Sequence, residues 1–270
     1  MTDSETLRDE PSEPADDLTA EPAEQQTAPG SGKGPAARQG SGVGAAVKEF
    51  VIVVAMALAL SFVVKTWLVQ AFWIPSGSME DTLLVNDRVL VNKLTPNPIS
   101  LHRGDVVVFS DPGHWLEAMP RRDRGPIVNA VRDALTFVGI LPSPTDDHLI
   151  KRVIGLPGDH VVCCDTQQRL TVNGSPLNEP YVKAGAVPSS IRFDITVPAG
   201  KIWVMGDNRG DSEDSRYHDP SGTGKEGSVP ISDVTGRAFA IVWPLNRFAW
   251  LSDYPLTFGS VPAPKATATR

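Results

Sequence analysis

Residues 50–64 form an uncharged, almost wholly apolar run of Val, Ala, Leu, Ile, Met and Phe, and this run constrains the fold more than any other stretch. A helix crossing a bilayer needs about 20 consecutive apolar residues. The run reaches that length at 50–69 if Lys65 carries its ammonium to the headgroups along its aliphatic stem. Trp67 and Trp73 suit the aromatic belt at the membrane–water interface. A removable leader would begin near the first residue, whereas 46 mostly polar and small residues come first here. A buried core helix is the remaining alternative. The reading adopted is a single membrane anchor over 47–73.

The segment before it is rich in Glu, Pro, Ala, Gly and Ser. It carries nine acidic and three basic residues, so all but one unit of the net charge of −7 lies there. Such a composition cannot bury enough apolar surface to offset the entropy of ordering, and 1–46 is read as a disordered tail. The remainder is close to neutral and has no basic stripe, which argues against nucleic acid as a partner. Two adjacent cysteines, Cys163 and Cys164, lack the spacing of a zinc site. Free thiols are the favoured state, with a vicinal disulfide as the alternative. Lys33, Arg38 and Lys48 before the anchor weakly favour a cytoplasmic N-terminus, with the larger part exported.

After Pro75 the pattern is that of strands. Short β-branched runs recur at 88–91, 104–109, 149–154, 160–164, 170–172, 202–205 and 238–243, punctuated by Gly and Pro. Asn173-Gly174 is a two-residue hairpin signal. The expectation is a mostly β, antiparallel, barrel-like domain over 74–255, followed by a flexible tail at 256–270. One insertion near 120–142 departs from this pattern. Ile127, Val128, Val131, Ala134, Leu135, Val138 and Leu141 recur with a helical period. That helix is expected to pack on its own domain, with a membrane-surface position as the alternative.

Two runs suggest chemistry. Ser78 lies in Ile-Pro-Ser-Gly-Ser-Met at 74–79, and Lys151 in Leu-Ile-Lys-Arg-Val-Ile at 149–154. A serine hydroxyl needs a base to take its proton. Lysine serves only when neutral, which burial among apolar groups promotes. Strand alternation puts Leu149, Lys151 and Val153 on one face and Ile150, Arg152 and Ile154 on the other. Each residue also has a plainer reading: Ser78 as a helix cap, Lys151 as a solvated charge. A Ser-His-Asp arrangement is a rival, but none of the five histidines has a recognisable triad context and no Gly-x-Ser-x-Gly elbow surrounds Ser78.

A third run, 205–217, is densely acidic yet lacks the spacing of a calcium loop. Its Arg209-Gly210-Asp211 also spells an adhesion tripeptide that chance explains. Taken in order, the runs at 75–83, 104–109, 151–159 and 206–217, preceded by an anchor, resemble the motifs of bacterial type I signal peptidases. These are membrane-bound serine proteases that remove signal peptides from exported proteins. The resemblance spans roughly 47–243.

It implies that Ser78 is the nucleophile and Lys151 the general base. Ser76 and the Ser78 backbone N–H would form the oxyanion hole, and Ser212 would orient the lysine amine. Asp214 and Arg216 would form a structural ion pair, while Ile74, Met79, Leu83, Val108 and Ile150 would line shallow pockets for small side chains. It implies no cofactor and no metal. Signal peptides of preproteins, membrane lipid and the secretion translocase are the expected partners. The expected location is the cytoplasmic membrane, single-pass, with the catalytic domain on the outer face. Three departures stand out: Asp81 replaces a usual proline, which suggests a looser turn, Gly210-Asp211 replaces Asp-Asn, and His218 replaces a tryptophan. The alternative from another class is a non-catalytic anchored β domain that binds export or envelope partners.

Overall fold

The apolar run folds as helix α1, Gly42–Val63, and widens into a π-helical turn at Val64–Leu68. The structure, a computed structural model, describes residues 42–113, 115–116, 125–137 and 147–264. The chain divides into two units, Met1–Val47 and Lys48–Arg270. The expected tail at 1–46 lies almost wholly outside the described residues. Within them, 44–68 is the one helix long and apolar enough to cross a membrane.

The anchor is shorter than the expected 47–73. Strand β1, Val69–Trp73, already belongs to a sheet and pairs antiparallel with β2, Arg88–Asn92. Hydropathy cannot see this change, because Phe72 is as apolar as the helix before it. What differs is the partner: Phe72 is buried with Val89 and Val91, whereas α1 exposes its side chains.

The strands that follow match the expected mostly antiparallel β domain. They are β3 (Val106–Ser110), β4 (His148–Gly155), β5 (His160–Cys163), β6 (Leu170–Val172), β7 (Ser175–Pro176), β8 (Phe193–Thr196), β9 (Lys201–Met205), β10 (Val229–Pro230), β11 (Val234–Trp243) and β12 (Ala249–Trp250). An eight-stranded sheet runs β1-β2-β11-β3-β4-β9-β10, with β12 on β11, and a four-stranded sheet runs β7-β6-β5-β8. The Asn173-Gly174 turn joins β6 to β7 with both residues at positive φ, 53° and 82°, as a two-residue hairpin requires.

Alternation on β3 and β4 separates two cores. Val106, Val108 and Ile150 join Ile74, Met79 and Leu83 in one cluster, while Val107, Phe109, Leu149 and Val153 join Val204 and Val229 in another. A third core lies against the smaller sheet, with Val161, Leu170, Phe193 and Trp203. Burial of this kind stabilises by roughly 25 cal/mol per Å² of apolar surface.

Three further expectations change. The tail from 256 is not free up to Pro264: helix α2, Pro126–Phe137, has a short C-terminal counterpart in α3, Pro255–Phe258, and Phe258 and Val261 are buried in the third core. Thr257 also donates to the Asn178 carbonyl at 2.8 Å. Two apolar side chains at the right spacing outweigh the polar look of the segment, and 265–270 lie outside the described residues. The expected helix in the insertion is present as α2. Its Ile127, Val128 and Val131 are exposed rather than packed on the domain, and residues 117–124 and 138–146 are outside those described. The cysteines are bonded to each other rather than free. Cys163 is buried at the end of β5, and Cys164, partly buried, packs against the same core.

Candidate active site

Ser78 sits on a loop that leaves β1 and folds back on itself. The Ile74 N–H donates to Asp87 at 2.9 Å and the Asn86 N–H returns to Ile74 at 2.9 Å. Met79 and Leu83, fully buried, plug the loop into the core, and the Leu83 N–H donates to the Met79 carbonyl at 2.8 Å. Ser78 caps nothing. Its hydroxyl instead accepts a 2.6 Å hydrogen bond from the Lys151 amine. Lys151 comes from the middle of β4, opposite Val107, and is 4% exposed.

Burial lowers the Lys151 pKa to about 8. Asp214 and Asp207 pull it up, and Arg216 pushes it down again. The two carboxylates are engaged elsewhere. Arg152, the next residue on β4, clasps Asp207 at 2.9 and 2.6 Å. Arg216 clasps Asp214 at 2.8 Å through two nitrogens. Burial would raise the Asp214 pKa, but this hydrogen-bonded arginine brings it below the usual carboxylate value. The expected Asp214–Arg216 pair is therefore present and fully buried.

Ser212 differs from expectation. Its hydroxyl donates to Asp214 at 2.9 Å and not to the lysine amine. An ionised carboxylate is the stronger acceptor. Ser76 places its hydroxyl 3.5 Å from that of Ser78. Among the described residues no acceptor takes the Ser78 backbone N–H.

The loop at 206–209 fixes the serine from the far side. The Asn208 N–H donates to the Ser78 carbonyl at 3.1 Å, and its side-chain amide donates to the Gly77 carbonyl at 3.0 Å. Gly206 lies so close to the Ser212 side chain and the Ser78 carbonyl that a Cβ would collide with both. Arg209 is 1% exposed and bidentate to Glu179, which removes the adhesion reading of 209–211. Sequence reasoning gave Asn208 and Gly206 no role, although both stand in a quoted motif.

Asp81 does not loosen the turn. It adopts a φ of 80°, which proline cannot reach, and accepts the Ala184 N–H at 2.9 Å. His218 stacks on Trp115 with ring centroids 4.3 Å apart. No described histidine bonds Ser78; His160 pairs with Asp194 and His102 lies beside Asp105.

Of the five expected pocket residues, Ile74, Val108 and Ile150 line one small cavity of about 20 Å³, with Phe72, Trp73, Pro75, His148 and Leu149. Met79 and Leu83 do not line it. They are wholly buried in the same core.

Comparison with known proteins agrees with this geometry. The family model for signal peptidase, peptidase S26, matches residues 47–243. The chain is 39% identical to a probable signal peptidase I of Mycobacterium leprae, over 75% of this chain and 78% of that protein. It is 38% identical to the signal peptidase I of Mycobacterium tuberculosis, over 75% and 74%. It is 33% identical to that of Leptolyngbya laminosa, over 77% and 85%. On these matches the chain belongs to the signal peptidase family, peptidase S26.

Proposed function

We propose that the chain cuts N-terminal signal peptides from exported preproteins, with Ser78 as nucleophile and Lys151 as general base. The observation that carries the reading is the 2.6 Å bond between the Ser78 hydroxyl and a buried amine whose pKa is about 8. With that pKa roughly a tenth of the amine is neutral at pH 7, against a negligible fraction for an ordinary lysine.

Neutral Lys151 takes the Ser78 proton as Oγ attacks the scissile carbonyl. The carbonyl π electrons move to oxygen, and the Ser76 hydroxyl and the Ser78 N–H donate to that oxyanion. One such donor is typically worth about 10²–10³ in rate. The intermediate collapses, the C–N bond breaks, and the Lys151 ammonium gives its proton to the departing amine. Lys151 then deprotonates a water that attacks the ester, and Ser78 recovers its proton as the signal peptide leaves. Asp214–Arg216 and Asp207–Arg152 hold charge away from the amine, and Ser212 braces Asp214.

The cavity is small and lined mostly by apolar side chains, which favours alanine and other small uncharged residues at the first and third positions before the cut. The charge bias at Lys33, Arg38 and Lys48 favours a cytoplasmic N-terminus and a catalytic domain on the outer face, beside membrane lipid and the secretion translocase. The test is mass analysis of a preprotein incubated with the detergent-solubilised full chain. Cleavage after a small residue, abolished by Ser78→Ala, is expected. Cleavage that survives Ser78→Ala would contradict the reading.

A further inference from the structure

Helix α2, Pro126–Phe137, turns its apolar side outward. Ile127, Val128, Val131, Ala134 and Leu135 fall on one side of the helix by their spacing, and Asn129, Asp133 and Thr136 on the other. A helix packed on a water-soluble domain faces its apolar side inward. Here Ile127 is 78% exposed, with Val128 and Val131 exposed beside it, whereas Asn129 is half-buried. A helix this short is marginal alone in water and draws its stability from burial of its apolar face. Among the described residues that face has no cover.

The place where the insertion leaves the sheet indicates what covers it. The insertion departs from the end of β3 at Ser110 and returns at His148, which pair with each other. The His148 ring packs on Phe72 with centroids 5.4 Å apart. Phe72 follows Leu68, the last residue of the membrane helix, by roughly 13 Å of strand. Trp67, 70% exposed, marks the lipid–water boundary there. The insertion is therefore rooted at the edge of the bilayer that α1 enters, and the bilayer is the apolar phase nearest to α2.

Charge agrees. Arg121, Arg122 and Arg124 precede α2 in the sequence and Arg132 lies within it, against Asp123 and Asp133, a net positive stretch in a chain of net charge −7. An apolar helical face with arginines around it suits a membrane interface, where buried apolar area and attraction to anionic lipid add together. We propose that α2 is a second membrane contact: its Ile127–Val128–Val131 face lies on the anionic phospholipid surface of the leaflet where α1 ends. The contact steadies the β3–β4 pair, which carries Lys151, against the bilayer. The inference rests on the membrane anchor and not on the cleavage reaction.

The test uses the full chain, whose two native cysteines are bonded to each other, with one new thiol at a time carrying an environment-sensitive nitrobenzoxadiazole dye. The sites are Val128→Cys on the apolar face, Asn129→Cys on the polar face and Ala57→Cys within α1. Each protein is reconstituted in vesicles of phosphatidylcholine and phosphatidylglycerol, with lipids spin-labelled on the acyl chain as quenchers. Dye at 57 should be strongly quenched, dye at 128 should be quenched with blue-shifted emission, and dye at 129 should stay unquenched. In vesicles of phosphatidylcholine alone the ratio of docked to undocked helix read at 128 should fall about tenfold. Equal quenching at 128 and 129, or none at either, overturns the proposal, as does quenching at 128 that ignores phosphatidylglycerol. A blue shift at 128 without quenching means that protein covers the face, from its own domain or a second copy, and overturns it too. Absence of quenching at 57 removes the anchor and the proposal with it. Cleavage of a signal peptide by the same vesicles reports separately on the function proposed above.

Discussion

Lys151 and Arg152 are neighbours on one strand, both buried and both basic, yet their surroundings are opposite. Arg152 is 0% exposed and saturated: it binds Asp207 twice, reaches the Gly104 and Ser252 carbonyls at 2.7 and 3.1 Å, and lies under the Tyr181 and Tyr254 rings. Burial works against its charge, but Asp207 more than offsets this and its pKa rises. Among the described residues the Lys151 amine has one hydrogen bond, to a neutral hydroxyl. Burial alone makes a cation costly, and the costly cation becomes a base only where no carboxylate answers it. The arginines keep Asp207 and Asp214 occupied, so the catalytic face of β4 depends on the ion-paired one.

The largest expected effect is on rate. Lys151→Met should lower kcat/KM by about 10³-fold or more, because a nucleophile and its base act as a unit, while circular dichroism stays that of the folded chain. Near-normal activity would erase the distinction between the two basic residues. Next is stability: Arg152→Met strands the buried Asp207 carboxylate and should cost about 3–5 kcal/mol in denaturant melts. Adding Asp207→Asn should recover part of that loss. If the double variant is no better than the single, the pairing is not what holds Arg152.

How far this contrast could be read from the sequence depends on the side chain. The alternation that sorted the neighbours of Lys151 from those of Arg152 is local and holds, because β4 is regular where it faces β3. The serine and lysine were legible from two short motifs, and most strands from β-branched runs bounded by Gly and Pro. The partner of Ser212 was not legible, since a hydroxyl near both an amine and a carboxylate is decided by tertiary geometry. The boundary between α1 and β1 was also hidden, because one continuous apolar run serves two environments. The pocket was read as five residues, whereas three of them line the cavity and Met79 and Leu83 are wholly buried in the same core, a distinction that tertiary packing decides.

Two smaller effects sharpen the comparison. Arg216 lowers the Lys151 pKa and neutralises Asp214. Arg216→Met removes both influences, so the Lys151 pKa should rise and the acid limb of the kcat/KM profile should move to higher pH. A limb that stays in place or moves down would mean that Arg216 does not govern the amine. The smallest effect concerns the stability cost of the base. The folded-state pKa of Lys151 lies below that of the unfolded chain, so its penalty is full below about pH 8 and is relieved as pH rises towards the free lysine value. Lys151→Met should therefore raise the melting temperature at pH 7, with a gain that shrinks in alkaline buffer. A lower melting temperature at pH 7 would argue that the amine is stabilising, as Arg152 is.

The most direct measurement is the titration of the Lys151 amine itself, by NMR of ¹³Cε-labelled lysine in the full chain in micelles, assigned by the signal that Lys151→Met removes. The account predicts a midpoint at about 8, coincident with the acid limb of kcat/KM. A midpoint at the ordinary lysine value, with activity still rising through neutral pH, would contradict it.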